Sequence, residues 1–435
     1  MSATIVGALA CQRNSFLFGG FKATVVSCEM AAPSKKSSGP QYDVELSDTI
    51  LFPEGGGQPS DTGLMSLDGE ETQIPVTQVS RSGLRALHRV ASPLEPGTAV
   101  TLTVDKHRRF DFMQQHTGQH LLSAILEQQY SLDTLSWSMA QPESAEASGQ
   151  EPSALLNFVE LPKRLTPEQV SEVNAVANEY ITLDPQEISV VESQPDKLGD
   201  ESKIPEDYDF SKGVVRTIHI GSLDANQCCG THLTSTAQIG ALVVMASGQT
   251  TVCSTNSRLY FTCGSRVYKY AAAANAVLAE TKQTLSSSES QLASTAAKLK
   301  SQLAQKTKAE QFWQRESAGK DAAAVMTQLA EGNSATMLRD EYCGQEYLNH
   351  VQKELATTLK ERDTGYSVLL AGFDKTSGTL ALIVLGDCGP VITETVARAT
   401  SAVAQVRGGG GKNGGKWQGK ATGVTPAQWK SLCSL

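Results

Sequence analysis

Apolar and polar positions alternate along the first hundred residues. Tyr42, Val44 and Leu46 are interleaved with Asp43, Glu45 and Ser47, the period of two expected of a strand with one buried face. Turn-forming clusters at 33–40, 54–57 and 67–69 cut the region into short pieces, so the pattern predicts a small barrel or sandwich over 1–104. The apolar stretch from Thr4 to Ala10 is short and no basic residue precedes it. That makes a poor secretory signal, and the start of a first strand is the expectation.

The period changes at Asp105. Phe110, Met113, Leu121, Leu122, Ile125 and Leu126 follow helical spacing, which places His116 and His120 on one helix. Residues 140–152 are rich in Ser, Glu, Ala and Gly, show no period, and read as a surface insertion. A strand is expected over 155–161. Thr166-Pro167-Glu168-Gln169 then opens a helix, with Thr166 as N-cap and Pro167 in the first helical position. Further strands are expected at 214–220, 241–245 and 259–262. Strands and helices in this order predict an α+β domain over 105–265.

Between Val267 and about Phe312 the chain contains neither Pro nor Gly, and Leu278, Leu285, Leu292 and Leu299 recur every seven residues. The pattern predicts a helical linker over 266–335. The companion heptad positions are mostly polar, so a dimer seam and a helix packed within its own chain stay equally open. Residues 336–435 read as a compact α/β unit with strands at 368–371 and 380–385, a helix over 391–406, and a glycine-rich basic tail. The whole chain is therefore expected to be α+β in four parts.

Composition narrows the function classes. A net charge of −9 argues against a non-specific DNA binder, although five basic and no acidic residues lie between Arg407 and Lys430. No apolar run approaches the roughly 20 residues that span a bilayer. Nine cysteines without small-domain spacing suit reduced thiols in the cytoplasm.

The chemistry concentrates in two elements far apart in sequence. His116-Thr117-Gly118-Gln119-His120 puts two imidazoles on one helix face. Cys228-Cys229-Gly230-Thr231-His232 repeats the four-residue separation with a thiol and an imidazole, and Gly230 permits a tight backbone. Three nitrogens and one sulfur suit tetrahedral Zn2+, so His116, His120, Cys228 and His232 are the expected metal ligands. Cys228 is preferred over Cys229 because it keeps the spacing to His232. His88, His107, His219 and His350 lack such partners and read as structural. A third element, Pro53-Glu54-Gly55-Gly56-Gly57-Gln58, can bring backbone close to a ligand, with Gln58 supplying an amide that both donates and accepts.

Together the three elements resemble the editing domain of alanyl-tRNA synthetase and its free-standing relatives, the AlaX-type alanyl-tRNA editing proteins. These combine a Pro-Glu-Gly-Gly-Gly-Gln loop, an His-x-x-x-His helix and a Cys-x-Gly-Thr-His element in that order. The likeness covers roughly the first 265 residues, and the region from 368 to about 422 is similar to the C-terminal domain of the long forms. No class II synthetase motif is present. The resemblance implies a trans-editing hydrolase for tRNA(Ala) mischarged with serine or glycine, without aminoacylation. A pocket discriminates poorly against an isostere that merely adds a hydroxyl, which is why a second, hydrolytic site is needed. It also implies roles. Gln58, Thr117 and Asp224 are the candidate catalytic residues, with Asp224 set behind the metal ligands. Gly56, Gly57, Asn256, Arg258, Lys412 and Lys416 are candidates for substrate binding.

Overall fold

The computed structural model describes residues 3–32, 39–67, 72–141, 152–193, 214–253, 255–341, 343–360, 365–410 and 415–435. The chain divides into two compact units, Met1–Thr281 and Lys282–Leu435. Its class is α+β, as the alternation of periods predicts.

Residues 4–9, where the start of a first strand was expected, form a turn that leads into a short helix, α1 (Ala10–Arg13). The cause is local. The Gln12 side-chain oxygen accepts from Gly7 N and Leu9 N at 2.7 and 3.2 Å and folds the segment into a turn. Seven strands follow: β1 (Gly19–Met30), β2 (Tyr42–Leu46), β3 (Gly63–Leu67), β4 (Gln73–Val76), β5 (Gln78–Ser82), β6 (Arg85–Val90) and β7 (Ala99–Val104). They form one sheet in the order β4-β3-β7-β1-β2-β6-β5. Its two end strands are separated in sequence by Thr77 alone, and β4 also packs on β6, so the sheet curls into a near-barrel. Val25, Val44, Met65, Val79, Val100 and Leu102 fill its interior. Glu45 breaks the alternation of β2, being buried where it meets Arg85 at 2.9 Å.

Helix α2 (Lys106–Tyr130) leaves the barrel, capped by the Asp105 side chain, which accepts from the His107 and Arg108 amides. Arg109 ties the two parts together. It is fully buried and bonds the Asp61 carboxylate and the carbonyls of Ser15 and Ile50. Around α2 gather β8 (Ser136–Ser138), β9 (Asn157–Leu161), α3 (Pro167–Thr182), β10 (Ile188–Ser193), β11 (Val215–Ile220), β12 (Asp224–Gln227), β13 (Leu242–Val244), β14 (Thr250–Val252) and β15 (Asn256–Cys263). They form one sheet ordered β13-β15-β9-β8, with β14 paired to β15, and a second ordered β10-β11-β12. Thr166 and Gln169 make the expected capping box of α3. Gly118 sits mid-helix in α2, where glycine ordinarily costs stability, because a Cβ there would overlap the Cys263 sulfur of β15. Within the 140–152 segment, residues 142–151 lie outside the described residues.

The expected long helix is interrupted. α4 (Ser265–Leu285) ends at Ser286, which takes a left-handed φ of 48°, and α5 (Leu292–Glu331) begins after a short 3-10 turn. The break falls in the run Ser286-Ser287-Ser288, whose hydroxyls compete with helical hydrogen bonding.

In the second unit, β16 (Ser334–Arg339), α6 (Gln345–Lys360), β17 (Ser367–Asp374), β18 (Thr379–Gly386), α7 (Gly389–Ala402), β19 (Arg407–Gly410), β20 (Gly415–Ala421) and α8 (Pro426–Cys433) build a sheet ordered β16-β17-β18-β20-β19. Val368 and Leu370 face α5 and α6, while Leu369, Ala371 and Phe373 face α7 and α8. Burial on both faces explains why β17 and β18 read as unbroken apolar runs. The glycine-rich basic stretch supplies β19 and part of β20. A Cβ at Gly408 or Gly419 would overlap the Trp417 indole. Among the described residues no helix is long and apolar enough to cross a membrane.

Candidate metal centre

α2 carries His116 and His120 one turn apart, with ring centroids separated by 5.3 Å. The chain leaving β12 brings Cys228 and His232 against them. His232 lies 4.5 Å from the His116 ring and 4.8 Å from the His120 ring. The thiol sulfur of Cys228 is 3.3 Å from Nε2 of His116 and 3.4 Å from Nε2 of His232. One potential ligand atom from each of the four residues lies within 4.8 Å of the others. All three imidazoles are buried and Cys228 is partly so.

Residues behind the cluster set its protonation. The Gln58 side-chain oxygen accepts from Thr231 N at 3.0 Å, and its nitrogen donates to Thr231 Oγ1 at 2.8 Å. A backbone N–H can only donate, so the amide orientation is fixed. The same oxygen stands 2.8 Å from His116 Nδ1, which must therefore carry the proton. The Nε2 lone pair is left to face the cluster. Asp224 acts similarly at longer range, its carboxylate 3.5 Å from His120 Nδ1. His232 Nδ1 is buried and has no hydrogen-bond partner among the described residues. Gly230 is required by proximity, since a Cβ there would overlap the His116 imidazole.

Burial opposes charge throughout the site, and the neighbours decide the outcome. Burial would raise the Cys228 thiol, yet the imidazoles of His116 and His232 hold it well below its usual range. Burial would lower His120, but Asp224 and the thiolate raise it to about 9. His232 is pushed down to about 3, chiefly by burial. Cys229, next in sequence, is pushed up to about 11 by burial and by the neighbouring Cys228. The thiolate of this loop is thus Cys228, and the spacing argument and the electrostatics agree. A thiolate held against three imidazoles is a donor set that could hold a metal ion.

The other expected site residues have definite places. Thr117 is buried, and its hydroxyl accepts from Leu233 N at 3.1 Å. Gly56 and Gly57 form an exposed turn just before Gln58. Asn256 donates to Glu160 at 3.0 Å, and Arg258 lies 3.8 Å from the same carboxylate and over the Phe158 ring. Lys416, on β20, donates to Gln352 at 2.6 Å. Lys412 lies outside the described residues.

Three residues at the site escaped the sequence reading. Arg216 is buried on β11 and donates to the carbonyls of Gly230, Cys228 and Gln12 at 2.9, 3.3 and 2.7 Å. A lone arginine in the apolar run 214–218 was its available signal. Gln12 donates to the Cys229 carbonyl at 2.8 Å, so α1 of the barrel buttresses the cysteine loop. Trp137 packs on His116 with ring centroids 4.9 Å apart. No spacing rule singles out Gln12 or Trp137.

Comparison with known proteins agrees with this geometry. Residues 215–260 match the second additional domain of threonyl and alanyl tRNA synthetases. This stretch runs from β11 through Cys228 and His232 into β15. A Saccharomyces cerevisiae protein with the provisional name alanyl-tRNA editing protein alaX is 45% identical, covering 99% of this chain and 97% of its own. The Mus musculus alanyl-tRNA editing protein Aarsd1 is 30% identical over 95% of this chain and 94% of its own. The Pyrococcus horikoshii alanyl-tRNA editing protein AlaX-L is 32% identical over 52% of each chain. With similarity spanning both units, this chain belongs to the alanyl-tRNA editing protein family.

Proposed function

We propose that this chain is a trans-editing hydrolase that deacylates Ser-tRNA(Ala), and also Gly-tRNA(Ala), without catalysing aminoacylation. The observation that carries the reading is the three-nitrogen, one-sulfur cluster beside the Gly56–Gly57 turn in a member of this family. In this reading His116, His120, Cys228 and His232 hold Zn2+, a metal suited to that donor set at tetrahedral geometry. Bound there, the ion supplies a Lewis-acidic positive charge. Gln58 fixes the His116 tautomer and Asp224 orients His120, so both position ligands. Thr117 holds the Leu233 amide and with it the backbone beside His232. Water adds to the ester carbonyl, the bond to the terminal ribose oxygen breaks, and free amino acid and uncharged tRNA leave. Residues 1–104 carry the glycine turn, 105–265 the ligands, 266–335 a helical linker, and 336–435 an accessory unit in which Lys412 and Lys416 contact tRNA. Asn256 and Arg258 contribute to substrate binding from β15. The reaction belongs in the cytoplasm, where the chain's reduced thiols persist.

The experiment is deacylation of a panel of mischarged tRNAs by the purified protein. Hydrolysis of Ser-tRNA(Ala), with Ala-tRNA(Ala) spared and a His116→Ala variant inactive, is expected. No turnover above that variant on any member would overturn the reading. Turnover of Ser-tRNA(Thr) alone would move the activity to the threonine branch. A second reading, a tRNA-binding protein with structural zinc, is favoured by the closed set of four protein ligands, which leaves no open position. Stripping the metal while monitoring circular dichroism separates the two, because only the hydrolase loses an activity at unchanged fold.

A further inference from the structure

The glycine turn touches a residue outside all three motifs. Gly55 and Gln58 exchange both backbone hydrogen bonds at 3.1 Å, and Gly56 and Gly57 take φ values of 61° and 80°. This is a two-residue hairpin turn of the mirror-image type, which demands positive φ twice and so favours paired glycines. Both glycines are exposed. At Gly57 a Cβ would overlap the Trp137 indole, whereas at Gly56 it would project into open space. The indole is half-buried on β8, the edge strand of its sheet, and its ring is tilted 40° to the His116 imidazole. It is therefore wedged between the turn and the metal centre, with its polar edge against Gly57.

Three donors collect at this place. The indole N–H and the amides of Gly56 and Gly57 have no hydrogen-bond partner among the described residues. A buried tryptophan N–H usually finds a hydrogen-bond partner. The half-buried Trp137 has none among the described residues, and the two glycines beside it carry no side chain to cover it.

We propose that Trp137 and the Gly56–Gly57 turn form a seat for the terminal nucleoside of an RNA 3′ end. The indole stacks on the purine base, and the three N–H groups face ribose and phosphate oxygens. Aromatic faces are the usual platform for unpaired bases, and bare glycine backbone lets a sugar-phosphate approach closely. The seat rests on the reading of the chain as an aminoacyl-tRNA hydrolase, whose substrate ester is carried by that nucleoside. It places the base one ring away from His116.

The test uses full-length protein and the uncharged trinucleotide CCA as probe. Binding should quench tryptophan emission in the wild type, and the quench should vanish in Trp137→Phe, which keeps a stacking ring but removes the reporter. Trp137→Leu should weaken trinucleotide binding roughly tenfold, with Trp137→Phe affected far less. In deacylation assays Trp137→Leu should raise KM by a similar factor and leave kcat within about threefold. Unchanged affinity in a Trp137→Leu variant with native circular dichroism would overturn the proposal. So would a quench that persists in Trp137→Phe, which would come from Trp313, Trp417 or Trp429. If Trp137→Leu does not fold, the Trp137→Phe quench still decides. Wild-type protein that binds the trinucleotide at Trp137 but hydrolyses no mischarged tRNA would refute the hydrolase and leave the seat standing.

Discussion

The Gln58 side-chain oxygen accepts a hydrogen bond from His116 Nδ1 at 2.8 Å, across 58 residues of sequence, and holds the imidazole with Nε2 toward the cluster. Such partners behind a ligand typically contribute 10- to 100-fold in metal affinity. Gln58→Ala should weaken Zn2+ binding by about that factor, read by competition with a chromogenic chelator. Affinity equal to wild type would mean that the α2 backbone alone orients the ring.

Gly230 is needed for space rather than for flexibility. Gly230→Ala should displace the His116 imidazole and abolish the thiolate-to-metal absorption band of the cobalt-substituted protein. Gly39→Ala is the control, because a Cβ there meets nothing within 4 Å. A normal cobalt spectrum in Gly230→Ala would show that the loop moves freely.

Arg109 and Asp61 are both fully buried and paired, and Asp61 also accepts from Phe52 N at 2.6 Å. Removing one partner strands the other charge away from water, at a cost of about 3–5 kcal/mol. Asp61→Ala should lower the denaturation midpoint accordingly in urea titrations of the whole chain. A loss below about 1 kcal/mol would show that water reaches Arg109 once its partner is gone.

His88 gives the fold an acid limit. Its Nδ1 donates to the Val44 carbonyl at 3.0 Å, so Nε2 is the acceptor for the Thr49 hydroxyl at 2.8 Å, and the ring is held neutral. Burial lowers its pKa from 6.5 to about 4. The unfolded chain therefore takes up this proton first as pH falls. The contribution is fully present above about pH 6.5 and is lost progressively down to about pH 4, amounting to about 3 kcal/mol. His88→Gln should flatten that part of the stability profile in denaturant titrations at stepped pH. An identical acid slope in wild type and variant would assign the loss to other groups.

Much of this protein is legible along the chain because much of it is governed by short-range spacing. The period-2 run at Tyr42–Leu46 and the Thr166 capping box stand as strand and helix start. The four-residue separations His116–His120 and Cys228–His232 identify the cluster, since such separations fix which side chains share a face before any packing is known. Local reading failed where a side chain intervened. Gln12 folded 4–9 into a turn ahead of α1 in place of the expected strand, and serine hydroxyls split the long helix without proline or glycine.

What the sequence by itself determined was the set of donor residues, their order and the α+β class, all of which follow from periodicity and side-chain chemistry. Tertiary structure alone decided what stands behind and beside the donors. Gln58 backs His116, Arg216 and Gln12 hold the carbonyls of the cysteine loop, and Trp137 lies against the glycine turn. These contacts join residues as many as 217 positions apart, as for Gln12 and Cys229. Only the folding of barrel, helix and sheets onto one another brings them within hydrogen-bonding or van der Waals range.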